Sequence, residues 1–169
     1  FEPYFAQGVN LQGDFLVGLP NEVLPLKMVY NVELFEKSGL SGPPATLEEL
    51  VEYAKIITEK GDGEFYGFGW TTMWTKSWRR LAMNASMSST GVHYFNSNTA
   101  KYDFTPFEPV ISAYTKMYQD GSMFPTPLDQ HIDPIRNRFA EGLVGMEIAP
   151  AYDISVYNVQ FPSNFNWKV

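Results

Sequence analysis

The segment Phe139-Ala-Glu-Gly-Leu-Val-Gly-Met-Glu-Ile-Ala-Pro-Ala-Tyr-Asp153 limits the possible folds more than any other stretch of the chain. It reads as a helix end, a glycine stop, a short strand, and a turn presenting an aromatic and an acid. Upstream, Asp133-Pro134 has the pattern of an N-cap followed by the proline favoured at the first helical position. Gly142 suits the left-handed residue that closes a helix. Val144, Met146 and Ile148 alternate with Gly145 and Glu147, the period expected of a strand with one buried face, with Glu147 turned away from it. Pro150 has no N–H to donate and ends the ladder. Tyr152 and Asp153 then fall at the strand's carboxyl end, where open α/β sheets tend to bind ligands. The pattern predicts a site and names no ligand.

The rest of the chain supplies further elements of a mixed α/β domain rich in helix. Asp14–Gly18 is a candidate short strand, stopped by Leu19-Pro20. Leu24–Tyr30 is a second, in which Pro25 is acceptable at an edge or a strand's beginning. Asn31 is placed to cap a short helix that stops at Gly39. Thr46-Leu-Glu-Glu49 has the form of a capping box, and Leu47, Leu50, Val51, Ala54 and Ile57 then share one face of a helix ending near Lys60-Gly61. Glu64–Trp70 alternates as a strand, and Ser77 to about Met87 has helical spacing. The polar stretch 88–101 is loop, and Tyr102–Phe104 a short edge strand. Thr105-Pro-Phe-Glu108 predicts a second capping box, opening a helix through Val110, Ala113, Tyr114 and Met117 that stops at Asp120-Gly121. Trp167-Lys168-Val169 looks like an incoming strand cut short. The predicted order is strand, helix, helix, strand, helix, helix, helix, strand.

Composition removes several function classes. A chain of 169 residues that is 44% apolar suits one domain, or one and a fragment, with a real core. Nineteen acids against twelve Lys and Arg leave a net charge of −7, which argues against nucleic acid or an anionic membrane as the main partner. Cysteine is absent, which removes disulfides, thiolate chemistry and cysteine-type zinc sites together. His93 and His131 lie far apart with no ligand spacing around them, so no metal site or cofactor is expected. No apolar run is long enough to span a bilayer. The chain opens on Phe1 with no initiator Met and no visible signal peptide, the expectation being a processed or excised piece. Aromatics make up 16% of the residues, so that some can serve as stacking platforms after the core is filled.

The order and wording of the elements resemble the family 1 extracellular solute-binding proteins of ABC importers, the group containing maltose-binding protein. Carrying the resemblance are Gly18-Leu19-Pro20, Tyr30-Asn31, and Leu34-Phe35-Glu36-Lys37-Ser38-Gly39-Leu40. Pro43-Pro44-Ala45-Thr46-Leu47-Glu48-Glu49-Leu50, Tyr66-Gly67-Phe68-Gly69, and Phe139-Ala140-Glu141-Gly142 with Met146 continue it in the family's order. The resemblance implies an α/β, periplasmic-binding-protein-like (type II) lobe with a helix-rich mixed sheet, incomplete relative to the two-lobe family. Residues 1–30 would be the end of the first lobe and the hinge-crossing segment, and residues 31–169 the second lobe. It also implies an extracytoplasmic receptor, periplasmic or lipid-anchored at the cell surface. Its expected partners are a sugar ligand, the ABC importer's membrane subunits and the missing first lobe of the same receptor. Cutting the lobe free would expose its old interface, through which a dimer is possible.

Candidate ligand contacts follow from both lines of reasoning. Tyr152 aligns with an aromatic sugar platform in the resemblance, and Asp153 can either accept sugar hydroxyls or cap the following helix. Trp70, Trp74 and Trp78 lie within nine residues, and Trp74 and Trp78 would share a face if helical. Flat rings so placed can stack on a sugar, although core packing, with Trp74 beside it, suits Trp78 better. The corresponding loop of maltose-type binders supplies an aromatic and an acid; here Trp74 has no carboxylate nearby, which argues against maltodextrin itself. Asn21 and Glu22 approach the cleft in the resemblance. Arg79-Arg80 suit a solvated surface better than an anion clamp. A glycosidase reading needs two acids in one cleft, and Glu147, turned away from the buried face, is a poor companion for Asp153. A stand-alone carbohydrate-binding or protein-interaction module is the further alternative, and it predicts full activity in the isolated chain.

Overall fold

The computed structural model describes residues 11–19, 25–70, 95–96, 99–125 and 132–169. Its centre is a four-stranded mixed sheet. Strand β3 (Leu26–Asn31) leads into α1 (Val32–Lys37), where the Asn31 side chain accepts the Leu34 N–H at 3.1 Å. Gly39 stops that turn with φ +77°. Helix α2 (Leu47–Gly61) opens on Thr46, whose hydroxyl oxygen accepts the Glu49 N–H at 3.1 Å. The Glu49 carboxylate returns one residue earlier than a standard capping box would have it, accepting from the Ala45 N–H at 2.6 Å. Leu50, Val51, Ala54 and Ile57 form its buried stripe, the face predicted from their spacing.

Helix α2 lies directly on β4 (Tyr66–Gly69). A methyl group at Gly67 would come within 2.0 Å of the Ala54 carbonyl oxygen, so only glycine permits the approach. The Gly67 N–H donates to the Thr58 hydroxyl at 2.7 Å, which ties the strand to the helix a second time. A two-stranded ribbon, β5 (Phe95–Asn96) with β6 (Lys101–Tyr102), precedes the next helix, and β1 (Leu11–Gln12) with β2 (Phe15–Leu16) forms another near the start of the chain. The second predicted capping box is corrected. Thr105–Phe107 is a 3-10 turn, and the Thr105 N–H and hydroxyl go to Asp103 instead of the hydroxyl capping a helix. Helix α3 (Glu108–Gln119) then buries Val110, Ala113, Tyr114 and Met117 against α2.

Helix α4 (Ile132–Ala140) also departs from expectation. It begins before Asp133, which therefore stands inside the first turn. Gly142 does take the left-handed conformation, φ +78°, and hands the chain to β7 (Val144–Pro150). The strand order is β4-β7-β3-β8, with β8 at Trp167–Lys168. β4 pairs with β7 in parallel, while β3 is antiparallel to both β7 and β8.

That arrangement corrects the expected single buried face of β7. A strand paired on both sides, with α2 over one face and α4 over the other, has no solvent side, and six of its seven residues are buried. Two buried clusters flank the strand: Met146 lies in one with Phe68, Ile57 and Tyr114, and Val144 in the other with Val29, Phe139 and Tyr157. A side chain of that size removed wholly from water stabilises the fold by roughly 1.5–3 kcal/mol.

Candidate functional site

Strand directions bring three parts of the chain to one edge of the sheet. Parallel pairing puts the carboxyl ends of β4 and β7 together, with Gly69 opposite Glu147. Antiparallel pairing puts the start of β3 there as well, with Leu26 opposite Pro150 and the Ala151 N–H donating to the Pro25 carbonyl at 3.0 Å. Trp70 follows β4 at this edge and Tyr152 follows β7. Pro25 is where the chain arrives from Asn21 and Glu22. Those two residues, and Trp74 and Trp78, lie outside the described residues, as do Arg79, Arg80, His93 and His131.

Tyr152 is the N-cap residue of a short turn, α5 (Asp153–Ser155), which runs into a π-turn at Val156–Gln160. It keeps 38% of its surface exposed. Trp70 is partly buried, packed edge-on to Tyr114 with ring centroids 5.0 Å apart, and its body belongs to the core under α2 and α3. Asp153 is buried at 1% exposure. Its carboxylate makes no cap; it accepts from Arg136 Nε at 3.1 Å and Nη2 at 2.5 Å. The third edge of the guanidinium reaches Asp133 at 3.2 Å, and its carbon lies over the Tyr152 ring, 5.9 Å from the centroid.

Burial works against the Arg136 cation, but the hydrogen bonds and charge of Asp153, with Asp133, outweigh it and hold the guanidinium above its ordinary range. Burial pushes the Asp153 carboxyl up, opposed by the two guanidinium bonds. The pair is ionic because an arginine keeps its proton, and a buried cation without its carboxylate would cost several kcal/mol.

Glu147 requires a further correction. It is 3% exposed, and the Tyr157 hydroxyl donates to its carboxyl. Desolvation, then the nearby Asp153 charge, raise it to about 8, with Arg136 pulling the other way. Two acids therefore do share one neighbourhood, contrary to the sequence-based expectation, but both are buried and both are bonded internally. Among the described residues, no group of three or more His, Cys, Asp or Glu is arranged to hold a metal. No helix among them is long and apolar enough to cross a membrane.

Sequence reasoning misses Arg136 and Tyr157, and it turns Glu147 to the wrong side. For Arg136 a signal existed: it stands beside Ile135 and one turn before Phe139, both buried, and so on the inward stripe of α4 with Asp133 three residues back. For Glu147 the signal was an acid in an otherwise apolar run, the pattern of a strand covered on both faces.

Comparison with known proteins gives a consistent family. A protein of Brucella abortus (strain 2308), called a binding protein by name only, is 32% identical over 136 residues, covering 80% of this chain and 32% of the relative. The chain thus spans about a third of the length of the curated relatives it matches. A solved ABC transporter solute-binding protein of Agrobacterium vitis S4, with bound D-mannitol, superposes with TM-score 0.70 at 24% identity, covering 86% of this chain and 35% of that one. Another, from Thermotoga lettingae TMO with bound α-D-tagatose, gives TM-score 0.68 at 24% identity, covering 85% and 38%. These likenesses bear out the expected periplasmic-binding-protein-like fold. The description "bacterial extracellular solute-binding protein" matches residues 2–168. The chain belongs to the bacterial extracellular solute-binding protein family.

Proposed function

We propose that the chain is one lobe of the substrate-binding component of an ABC importer, and that it takes a carbohydrate, an oligosaccharide by preference, at the β4–β7 edge. The observation carrying this reading is Tyr152, a partly exposed ring at the carboxyl end of the central strand, seated on a buried ion pair. A sugar presents apolar C–H faces to such a ring and hydroxyls to its surroundings. Trp70 or Trp74 would supply the second platform, with Trp78, Asn21 and Glu22 as further contacts. The carboxylate of Asp153 is committed to Arg136, so its part is to support Tyr152. Mannitol and tagatose, held by the two solved proteins above, are small polyhydroxylated ligands of this chemical kind.

Residues 1–30 would leave a first lobe through the hinge and residues 31–169 form the second, closing on ligand without chemistry. Burial of both Glu147 and Asp153 supports binding over glycoside hydrolysis, which requires acids that reach the substrate. An extracytoplasmic location, with or without a lipid anchor, goes with the family, and the importer's membrane subunits would be the partner that reads the closed state. The lobe interface exposed in an isolated lobe gives dimerisation a route.

Tryptophan-fluorescence titration tests the reading. The full-length receptor, this chain alone and full-length Tyr152→Ala are titrated with D-mannitol, α-D-tagatose and maltotriose. Binding near micromolar corresponds to about −8 kcal/mol, so a lobe with half the contacts should fall to millimolar or weaker. Tyr152→Ala should lose roughly tenfold, the value of one good aromatic contact. Wild-type affinity in that variant would remove Tyr152 from the site. Equal affinity in the isolated chain would favour a self-contained carbohydrate-binding module.

A further inference from the structure

We propose that Arg136 is a positioning residue for the ligand platform: one buried guanidinium, clamped by Asp153 and Asp133, fixes both the ring of Tyr152 and the backbone beside it. The inference rests on the reading of Tyr152 as a ligand-contacting ring.

Arg136 is 6% exposed, on the face of α4 that carries Ile135 and Phe139. Burying a cation there is costly unless its geometry is fully used. Here it is used. Nε and Nη2 meet the two oxygens of Asp153, and Nη1 meets Asp133, so the guanidinium plane is held along its edge by three bonds. With the edge committed, a face remains, and the Tyr152 ring lies 5.9 Å from the guanidinium carbon. Residues 152 and 153 are consecutive, so the same cation meets the platform's ring and, through the Asp153 carboxylate, anchors the next residue of the chain.

Three features of this arrangement point to positioning beyond simple packing. Tyr152 keeps 38% of its surface exposed, so the cation beside the ring does not bury the residue. The supports come from α4, a rigid element, while the platform stands on a turn. Finally, ordering a ring before the ligand arrives removes an entropic cost from binding. Lysine could supply the charge but not the two-point clamp or the flat face.

The test uses the full-length protein with 3-fluorotyrosine at position 152, followed by ¹⁹F NMR without ligand. Replacing the pair by apolar side chains of similar volume, Arg136→Met with Asp153→Leu, should keep the fold, as such exchanges are often neutral for stability. The label should then shift and broaden as the ring samples several orientations. Arg136→Lys should move it in the same direction. An unchanged resonance in either folded variant overturns the proposal. In the unsubstituted protein, a nuclear Overhauser contact between the Tyr152 ring and the Arg136 Nε–H is expected, and its absence overturns the proposal without need of a variant. Adding D-mannitol, α-D-tagatose or maltotriose separates the two readings. A label that responds to the pair but to none of the sugars leaves positioning intact and removes the platform. Where a sugar binds, the paired variant should weaken it about threefold to thirtyfold, the range of a cation–ring contact, and this loss should vanish in a Tyr152→Ala background.

Discussion

Replacing Glu147 by Gln should remove a pH dependence of stability that the wild-type protein carries. The Glu147 carboxyl has an ordinary value of 4.5 and is raised to about 8 in the folded protein, first by burial and then by the neighbouring Asp153 charge. Between those limits the folded state holds one proton more than the unfolded state. Stability from this group is therefore fully present below about 4.5 and is lost as pH rises through about 8. Each pH unit inside the window is worth ~1.4 kcal/mol, so pH 5.5 to 7.5 should remove about 2.7 kcal/mol. For a chain of this size that is a fall in Tm of roughly 5–11 °C. Glutamine stays neutral throughout and can still accept from the Tyr157 hydroxyl. Urea unfolding followed by circular dichroism at pH 5.5, 6.5 and 7.5 measures both proteins. Asp153, also raised, is present in both proteins, so the difference between the two slopes reports the proton held by Glu147 together with its coupling to Asp153. Parallel slopes would refute the reasoning, and a wild type that gains on the variant as pH rises would reverse its sign.

Two other substitutions probe the framework around the site. Asp153→Asn leaves the Arg136 cation buried without its carboxylate and should cost about 3–5 kcal/mol, or roughly 6–20 °C in Tm by calorimetry, much of it restored in the Arg136→Met, Asp153→Leu pair. Gly67→Ala would bring a methyl within 2.0 Å of the Ala54 carbonyl oxygen, forcing α2 off β4; chemical denaturation should register a loss of at least ~1–3 kcal/mol, and a variant as stable as wild type would mean the helix and strand are farther apart.

Much of the scaffold was legible because local chemistry and tertiary packing agree there. Asn31, Thr46 and Gly142 act at their helix ends as their residue types require, and the stripe from Leu50 to Ile57 is buried as its spacing predicts. The readings failed where long-range pairing decides. Whether Glu147 faces solvent depends on what covers the second face of β7, and that cover is α4 with Tyr157, neither visible in a period of two. Thr105 lost its predicted role to Asp103, two residues away, because a short polar side chain can satisfy either a helix end or a turn. Asp153 is the sharpest case. Its neighbours in the chain allow sugar contact and helix cap alike, and its actual partner stands seventeen residues earlier on another helix.

The pairing of β3 with β8 has a mechanical consequence. Tyr30 lies opposite Lys168 and Asn31 opposite Trp167, so the strand that enters the sheet and the strand that ends it are immediate neighbours running in opposite senses. β3 starts at the edge that carries Tyr152, and β8 heads back toward that edge. A body joined through both would be held by two tethers side by side. Two such tethers suppress sliding and twisting and leave bending about the line between them as the soft motion, a motion that swings across the exposed ring of Tyr152.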